Sequence, residues 1–597
     1  MNMNTHLTKA KLQEALRIEH AGKHLTVNVP AGSYNIAGCV YLYSDTTLNS
    51  DADTEYTFVK VQGGVMFSGY GWHGDVGGYD NIKNVTIDGG NFNAGAQGVE
   101  LVRFIHGSNI TVTNANFYNA LGASHLLTFA GVDGAEVTNC TFRDIPLDTT
   151  VSAKEALHID VVHNNKMVPG TDLYDDAFCK NITISGCTFE NLARGLGSHS
   201  AVAGVFPQNI TISGNTFKNT YYDAIRFFDY KDSVISENIL DGTGNGIIVH
   251  TLLSGAYYTP LAGAVTEPFP TAAENYDYNI QIKDNVITNV AYDTNLASMG
   301  YGFAVTGHAS YPIGGVQVTG NQIGAEDAAG NLTSASNQYG IYLSTKAVYN
   351  TIYNNFIAAT GEEAIMIKEG SSNNTLVGNE IHYPGTFGIY VSNSDGATLT
   401  TNRVVESGRS SYMFKGSSNA SILENRSKSS GGGGVVLTSS SHAPTIQKNI
   451  IYNPSGNAVY TKTCNTVKVI NNTIQRVTKG SGVYIADCVA LNTSYNKFTS
   501  TTMRPIYLTN VTKANTTSFE LMTIDTIKNG STRITGTAGK AGSTITMTIG
   551  SNTYTTTASS TRAFTSPTLP KLTSGTTVKV VEEDVKHNTQ TRNKTVS

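Results

Sequence analysis

One pattern returns along this chain often enough to limit what it can fold into. It reads Asn84-Val-Thr-Ile-Asp-Gly-Gly-Asn-Phe92, then Asn109-Ile-Thr-Val-Thr-Asn-Ala-Asn-Phe117, Asn181-Ile-Thr-Ile-Ser-Gly-Cys-Thr-Phe189 and Asn209-Ile-Thr-Ile-Ser-Gly-Asn-Thr-Phe217. Looser copies follow from Asn279, Asn374 and Val467. A second pattern, a small residue followed by alternating aliphatics, lies between copies, as in Gly340-Ile-Tyr-Leu343, Ala364-Ile-Met-Ile367, Gly388-Ile-Tyr-Val391 and Gly482-Val-Tyr-Ile485. Self-similarity at about 22–30 residues marks a solenoid. The units hold short period-two runs broken by Gly and Asn, and no helical stretch, so the stacked element is the strand. The expectation is an all-β parallel β-helix of about fourteen or fifteen coils over roughly residues 37–515. The Asn of Gly-Asn-Thr-Phe is expected at a tight turn, bridging to the next coil's backbone.

The two ends differ from this middle. Apolar residues at 7, 12, 15, 16 and 18 predict an amphipathic helix over residues 7–21, with Thr8 as an ordinary cap. A strand, a Pro30-Ala-Gly32 turn and a second strand follow, to Ile36. Such a segment can plug the open end of a strand stack, which otherwise exposes its apolar interior and its edge. After Phe519 come short strands at Ile534, Ile545–Ile549 and Val578–Val581, separated by frequent turns, as in a small β-sandwich. The expected domains are therefore 1–36, a cap; 37–518, the β-helix; and 519–597, a sandwich.

Composition narrows the function. A net charge of −5 argues against nucleic-acid binding, and no apolar run has the length of a membrane span. The six cysteines form no CxxC pair and no zinc spacing. Cys140 and Cys187 take the place that Ala115 and Asn215 hold in other copies, which predicts small residues stacked in a core. No metal and no cofactor is expected.

The alternation of the two patterns resembles the right-handed parallel β-helix of the pectate-lyase-like superfamily. Leu12-Gln-Glu-Ala-Leu16 with Val29-Pro-Ala-Gly-Ser-Tyr34 resembles its N-terminal cap. The tail resembles bacterial Ig-like domains of secreted and surface proteins, which implies a secreted or cell-surface protein although Met1–His6 is no signal peptide. The superfamily holds lyases, hydrolases, epimerases, esterases and tailspikes, so the resemblance implies a fold and not a reaction.

Chemistry is expected between Glu155 and His250. Four look-alike runs, at residues 156–162, 195–200, 224–229 and 246–250, stack in the solenoid reading. Their outward positions then form two columns. One holds His158, Gly197, Arg226 and Ile248; the other holds Asp160, His199, Phe228 and His250. Adjacent coils add Glu100, Arg103 and His125, while coils elsewhere carry bland residues such as Tyr342, Met366 and Tyr390. Loops beside these coils carry Trp72, Tyr257 and Tyr258, and aromatic faces suit sugars. A carbohydrate-active enzyme with an oligo- or polysaccharide substrate follows, first as a glycoside hydrolase.

Hydrolysis needs two carboxylates. Asp160 and Asp229 lie two coils apart, roughly 9–10 Å by strand spacing, near the upper end of the ~6.5–9.5 Å inverting window. Asp223 or Glu155 can replace either, and His199 joins the expected catalytic set. Arg226, His158, Glu155, His250, His125, Trp72, Tyr257 and Tyr258 are the expected substrate contacts. A polysaccharide lyase is the alternative, with His158 or His199 as base and Arg226 neutralising a uronate. A non-catalytic glycan-binding surface protein is the third reading. The order His158-Ile-Asp160, Tyr174-Asp-Asp176, Gly197-Ser-His199, Ala224-Ile-Arg226 resembles polygalacturonase-type hydrolases, though the Asp pair lies in a loop. Tyr301-Gly-Phe303 is similar to an alginate epimerase motif, with Ala304 where the acid belongs.

Overall fold

The computed structural model describes residues 9–16, 23–59, 64–69, 76–121, 124–148, 154–251, 257–258, 277–290, 300–326, 332–334, 338–439, 441–500, 504–514 and 518–597. They form two compact units, Met1–Thr351 and Ile352–Ser597.

In the first unit the repeat becomes a right-handed parallel β-helix. Strand pairing carries one inward position through successive coils: Val102, Leu127, Leu157, Leu196, Ile225, Ile247, Phe303 and Ile341. All eight are fully buried. The Phe that ends each early repeat builds a second interior column, Phe92–Phe117–Phe142–Phe189–Phe217, with ring centroids 5.0, 5.1, 4.9 and 4.6 Å apart. Parallel strands stack at ~4.8 Å, so identical residues in register stack ring on ring. Each buried ring contributes about 1.5–3 kcal/mol of transfer free energy.

The Asn positions divide into two jobs. The Asn that opens each repeat takes the left-handed conformation, with φ of 55° at Asn84, 53° at Asn109, 57° at Asn181 and 55° at Asn209. Asparagine tolerates this because its short side chain bonds locally, and here it also bridges coils, Asn109 Nδ2 donating to Asn84 Oδ1 at 2.7 Å. The Asn of Gly-Asn-Thr-Phe sits, as expected, in the break between two strands, with Gly214 beside it at a φ of 65°, and it bridges coils from inside the core. Asn215 Nδ2 donates to Asn238 Oδ1 at 3.0 Å and to Ile184 O at 3.0 Å, and Asn238 repeats this with Asn285. Cys187 N donates to Asn215 Oδ1 at 2.9 Å, and Cys140 N to Cys187 Sγ at 3.4 Å. The two thiols therefore extend this ladder inside the core, as their matching contexts predicted.

Among the described residues the N-terminal helix spans Lys9–Ala15, and residues 7, 8 and 17–21 of the expected helix, Thr8 among them, lie outside the described residues. Leu12, Ala15 and Leu16 are buried. Gln13 exchanges two hydrogen bonds with the backbone of Tyr41, at 3.1 and 2.7 Å, as a neighbouring strand would.

The second unit repeats the logic with Ile365, Ile389, Tyr412, Val435, Val459, Val483 and Ile506 in one buried column. Its end changes character. Thr544–Ile549, Asn552–Thr557, Thr577–Glu583 and Thr589–Thr595 pair antiparallel, and a smaller sheet joins 523–524, 535–537 and 563–565. Met522, Ile545, Met547, Phe564, Val578 and Val580 belong to a separate apolar core there. Thr589–Thr595 also pairs in parallel with Lys497–Thr499. No helix among the described residues is long and apolar enough to cross a membrane.

Candidate functional site

One outward column runs beside the buried one. Pairing places Arg103, Thr128, His158, Gly197, Arg226 and Ile248 in a line. This includes the expected column from His158 to Ile248. Gly197 is needed in it: its φ is +135°, and a Cβ there would lie 1.8 Å from Arg226 O. A side chain at this coil is excluded, because the Cβ would fall on the main chain of Arg226.

The second expected column breaks at the same glycine. Pairing between the 155–160 and 194–197 strands ends at Gly197, and Ala201–Val202 instead joins Tyr257–Tyr258 in a separate sheet. His199 therefore leaves Asp160. Its Nδ1 lies 2.9 Å from Glu155 Oε2 and its Nε2 lies 2.8 Å from Lys154 Nζ. Ser200 takes the place expected of His199, with its hydroxyl 3.3 Å from Asp160 Oδ2.

Three imidazoles gather around this point. His125 and His158 stack with centroids 4.0 Å apart and planes 3° apart, and His199 lies 4.9 Å beyond His158. His125 Nδ1 sits 2.6 Å from the backbone oxygen of Glu155. Burial drives His125 down to about 4. Burial, followed by the neighbouring His125 and His199, drives His158 well below the usual imidazole range. Burial alone would raise Glu155, but His199, His158 and Arg194 overcome it and hold the carboxyl well below its usual value.

A cavity of about 240 Å³ opens beside the stack, lined by Glu100, Arg103, Ser124, His125, Thr128, Lys154, His158, Lys166 and the 167–169 segment. It is smaller than the ~300–1,000 Å³ of sites for drug-sized ligands, and so has the size of one subsite. Arg103 pairs with Glu100 and donates to Pro169 O at 2.6 Å. Three cationic side chains thus meet one carboxylate and two imidazoles.

The expected acids lie elsewhere. Asp160 is 1% exposed and accepts Val161 N at 2.8 Å; burial pushes its carboxyl up to about 7. His158 Nε2 lies 3.3 Å from Asp160 Oδ2. This contact lacks hydrogen-bond geometry. Asp229 is equally buried, is pushed up to about 7 by burial, and accepts the Tyr278 hydroxyl at 3.0 Å. Neither aspartate lines the cavity. Asp223 is bound by Arg194, approached by Arg226 at 3.8 Å and bonded by Asn245 Nδ2 at 2.9 Å. Burial opposes its charge, but the two guanidiniums keep it below the usual carboxylate value. Burial, then Arg226, pushes His250 beside them down to about 3. The loop acids are tied down as well: Asp175 to His106 at 3.0 Å and Asp176 to His163 at 2.5 Å.

Trp72 and the side chains of Tyr257 and Tyr258 lie outside the described residues. Sequence reasoning missed Lys154, Lys166, Arg194 and Ser200. Lys154 and Arg194 lie just ahead of the look-alike runs and Lys166 lies in an insertion, so none of the three carries a pattern signal, while Ser200 closes a run in which His199 drew the attention. Glu155, His125, His158 and His199 were each singled out, but not as one cluster, and no metal was expected. Their donor atoms lie within 4.8 Å of one another.

The family model described as "Right handed beta helix region" matches residues 75–337 and 325–474. No curated protein matches the chain. Among solved structures, the chain is similar to PfbA, a surface adhesin of Streptococcus pneumoniae, at 18% identity and a TM-score of 0.38, covering 69% of this chain and 87% of that one. It is also similar to a double-mutant tailspike protein of E. coli bacteriophage HK620 in complex with pentasaccharide, at 12% identity and a TM-score of 0.41, covering 98% and 90%. A third is the A-module of the Azotobacter vinelandii mannuronan C-5 epimerase AlgE6, at 15% identity and a TM-score of 0.25, covering 85% and 95%.

Proposed function

The chain belongs to the right-handed β-helix family, and we propose that it is a carbohydrate-active enzyme that seats an acidic sugar of an oligo- or polysaccharide in the cavity beside His158. The observation that carries this is the cavity's lining: Arg103, Lys154 and Lys166 converge on it with His125 and His158, against the single carboxylate of Glu100. Cations around a small polar cavity attract a carboxylate-bearing ring and fix its orientation.

The lining favours β-elimination over the hydrolysis expected from the sequence. Elimination needs a cation at the uronate carboxylate and a base at the adjacent carbon. Arg103 and Lys166 serve the first need, in place of Arg226, which faces Asp223. The imidazoles of His125 and His158 face the cavity for the second. Hydrolysis keeps one specific support, the Asp160 carboxyl pushed up to about 7, as suits a general acid. The same reading takes residues 519–597 as an Ig-like spacer and the protein as secreted or displayed at a cell surface.

The test is digestion of a panel of uronate-containing and neutral polysaccharides, followed by ultraviolet absorbance and mass spectrometry. Elimination yields unsaturated, ultraviolet-absorbing ends, and Lys166→Glu weakens binding of acidic oligosaccharides. Products that each gain a water, with no absorbing ends, turn the reading to hydrolysis at Asp160. Binding with no product on any polymer leaves a glycan-binding surface protein and removes the enzyme.

A further inference from the structure

The His125–Glu155–His158–His199 cluster has a second capacity that does not depend on the glycan reading. We propose that these four residues form a binding site for one first-row divalent transition metal ion of the zinc type.

The donor set is the first argument. Three imidazoles and one carboxylate match the ligands that Zn²⁺ and its neighbours take from proteins, whereas oxygen-seeking Ca²⁺ and Mg²⁺ select carboxylates and carbonyls. One donor atom from each residue falls within 4.8 Å of every other. The residues come from three consecutive coils, so strand stacking, and not chance side-chain drift, brings them together.

The outer hydrogen bonds are the second argument. A metal-binding imidazole donates its far N–H to a carbonyl or carboxylate, which fixes the tautomer and turns the other lone pair inward. His125 Nδ1 meets Glu155 O at 2.6 Å. His199 Nδ1 meets Glu155 Oε2 at 2.9 Å. The Glu155 carbonyl can only accept from His125 Nδ1, and the Lys154 ammonium can only donate to His199 Nε2, so both Nδ1 atoms carry the proton and both Nε2 atoms hold the lone pair. His199 Nε2 already faces a cation, the Lys154 ammonium at 2.8 Å.

The third argument is what remains unpaired. Glu155 is 0% and His158 2% exposed, yet among the described residues no hydrogen-bond partner meets Glu155 Oε1 or His158 Nε2. Leaving such groups unmet is costly, and more so for a charge. An ion coordinated by both removes that cost. The adjoining cavity supplies the entry path.

Two adjustments accompany binding. Tetrahedral coordination at Zn–N of about 2.0–2.1 Å sets donors about 3.3 Å apart, so the cluster contracts and the parallel rings splay about their Cβ–Cγ bonds, a soft torsion for histidine. The Lys154 ammonium withdraws from His199 Nε2 toward the cavity. It is therefore a built-in competitor for the ion. An ion held here also takes up the imidazole lone pairs that face the cavity, so metal and catalytic base use the same atoms in turn.

The test uses the full chain after chelator treatment, titrated with Co²⁺ and Zn²⁺, and read by calorimetry and by the visible absorption of four-coordinate Co²⁺. No glycan is present, so failure of the enzyme reading does not touch the result. One equivalent is expected to bind with a tetrahedral Co²⁺ spectrum. His158→Ala and His199→Gln should each weaken binding about ten- to hundredfold or more, and Lys154→Met should tighten it about tenfold. Circular dichroism checks folding; where His158→Ala does not fold, the half-exposed His199→Gln decides. Absence of saturable binding by either ion overturns the proposal, as does binding that His199→Gln leaves unchanged.

Discussion

Tyr278 donates its hydroxyl to Asp229 Oδ1 across 3.0 Å, and among the described residues no hydrogen-bond partner meets the other, buried oxygen of that carboxyl. A lone acceptor in such a place is costly as an anion, and burial pushes the group up to about 7. An unfolded aspartate loses its proton near 3.9. Between these values the folded chain holds a proton that the unfolded chain has lost. Asp229 thus contributes stability that is fully present below about pH 4 and is lost as pH rises through about 7. Asn at 229 keeps the acceptor for Tyr278, tolerates the φ of 65° and cannot ionise. Asp229→Asn should therefore raise the melting temperature at pH 8 and leave it nearly unchanged at pH 4. Asp160 acts in the same sense, so the pH slope shrinks without vanishing. An unchanged slope would rule out a protonated Asp229. Loss of turnover with raised stability would restore it as a catalytic acid.

Asp223 has the opposite environment. Arg194 and Arg226 flank it and Asn245 bonds it, so its charge is matched and its place is structural. Asp223→Ala leaves two buried guanidiniums uncompensated, which typically costs about 3–5 kcal/mol. Asp223→Asn should cost less, since it keeps the volume and one acceptor. Thermal melts of the two variants check this order. A variant that melts like the parent but has lost all turnover would return Asp223 to the acid–base role expected from sequence.

These two aspartates show where sequence reading succeeds in this fold and where it stops. The β-helix was legible because strand stacking copies one-dimensional periodicity into space: Phe92 to Phe217 line up because the pattern lines up. The first outward column, from His158 to Arg226, was legible for the same reason. The second was not, because a single glycine with φ of +135° at Gly197 ends the pairing and sends His199 to Glu155 instead of Asp160. Lys154 and Arg194 carry no periodic signal, so the contact of Lys154 with His199 and the ion pair of Arg194 with Asp223 could not be read. Nor could the sequence say that Asp160 and Asp229 are walled off, since an outward position in a strand says nothing of the loop that covers it. The Asn in each break was legible as a residue that bridges coils, but not the burial that makes Asn215 and Asn238 successive rungs of one amide ladder.

That ladder reaches into the C-terminal segment. Asn496 donates its main-chain N–H at 3.1 Å and its Nδ2 at 3.0 Å to Asn588 Oδ1, repeating the bonds that Asn472 makes to Asn496. Asn588 is itself fixed by Asp584. Asn588→Ala strands the buried main-chain N–H of Asn496, worth about 1–3 kcal/mol when unsatisfied, while Asn496 Nδ2 keeps Val469 O and Thr493 Oγ1. The expected outcome is an early melting step and faster amide exchange along Lys497–Thr499, which pairs with Thr589–Thr591. Uniform exchange and an unchanged melt would show that the pairing of these strands alone holds the segment in place.

Gly197 gives the last expectation, because it controls both the column and the site. A methyl group at this position would overlap the Arg226 carbonyl, at 1.8 Å, and would sit on a backbone whose φ disfavours any side chain. Neither strain can be relieved by a rotamer, since the clash is with main chain. The 194–197 strand must move outward, which loosens its pairing to Ile225 and Arg226 and withdraws His199 from Glu155 and Lys154. Gly197→Ala should therefore destabilise by at least about 2–4 kcal/mol, and it should weaken Co²⁺ binding even at temperatures where circular dichroism remains native. Gly195 is the control of matched size: its Cβ would also meet backbone, Ala224 O at 2.3 Å, and beside it the interior ring of Phe217 at 2.9 Å. Gly195→Ala should cost comparable stability and disturb metal binding less. Equal effects of the two substitutions on binding would mean that the strand moves as one body, and that the turn at Gly197 has no separate part in placing His199.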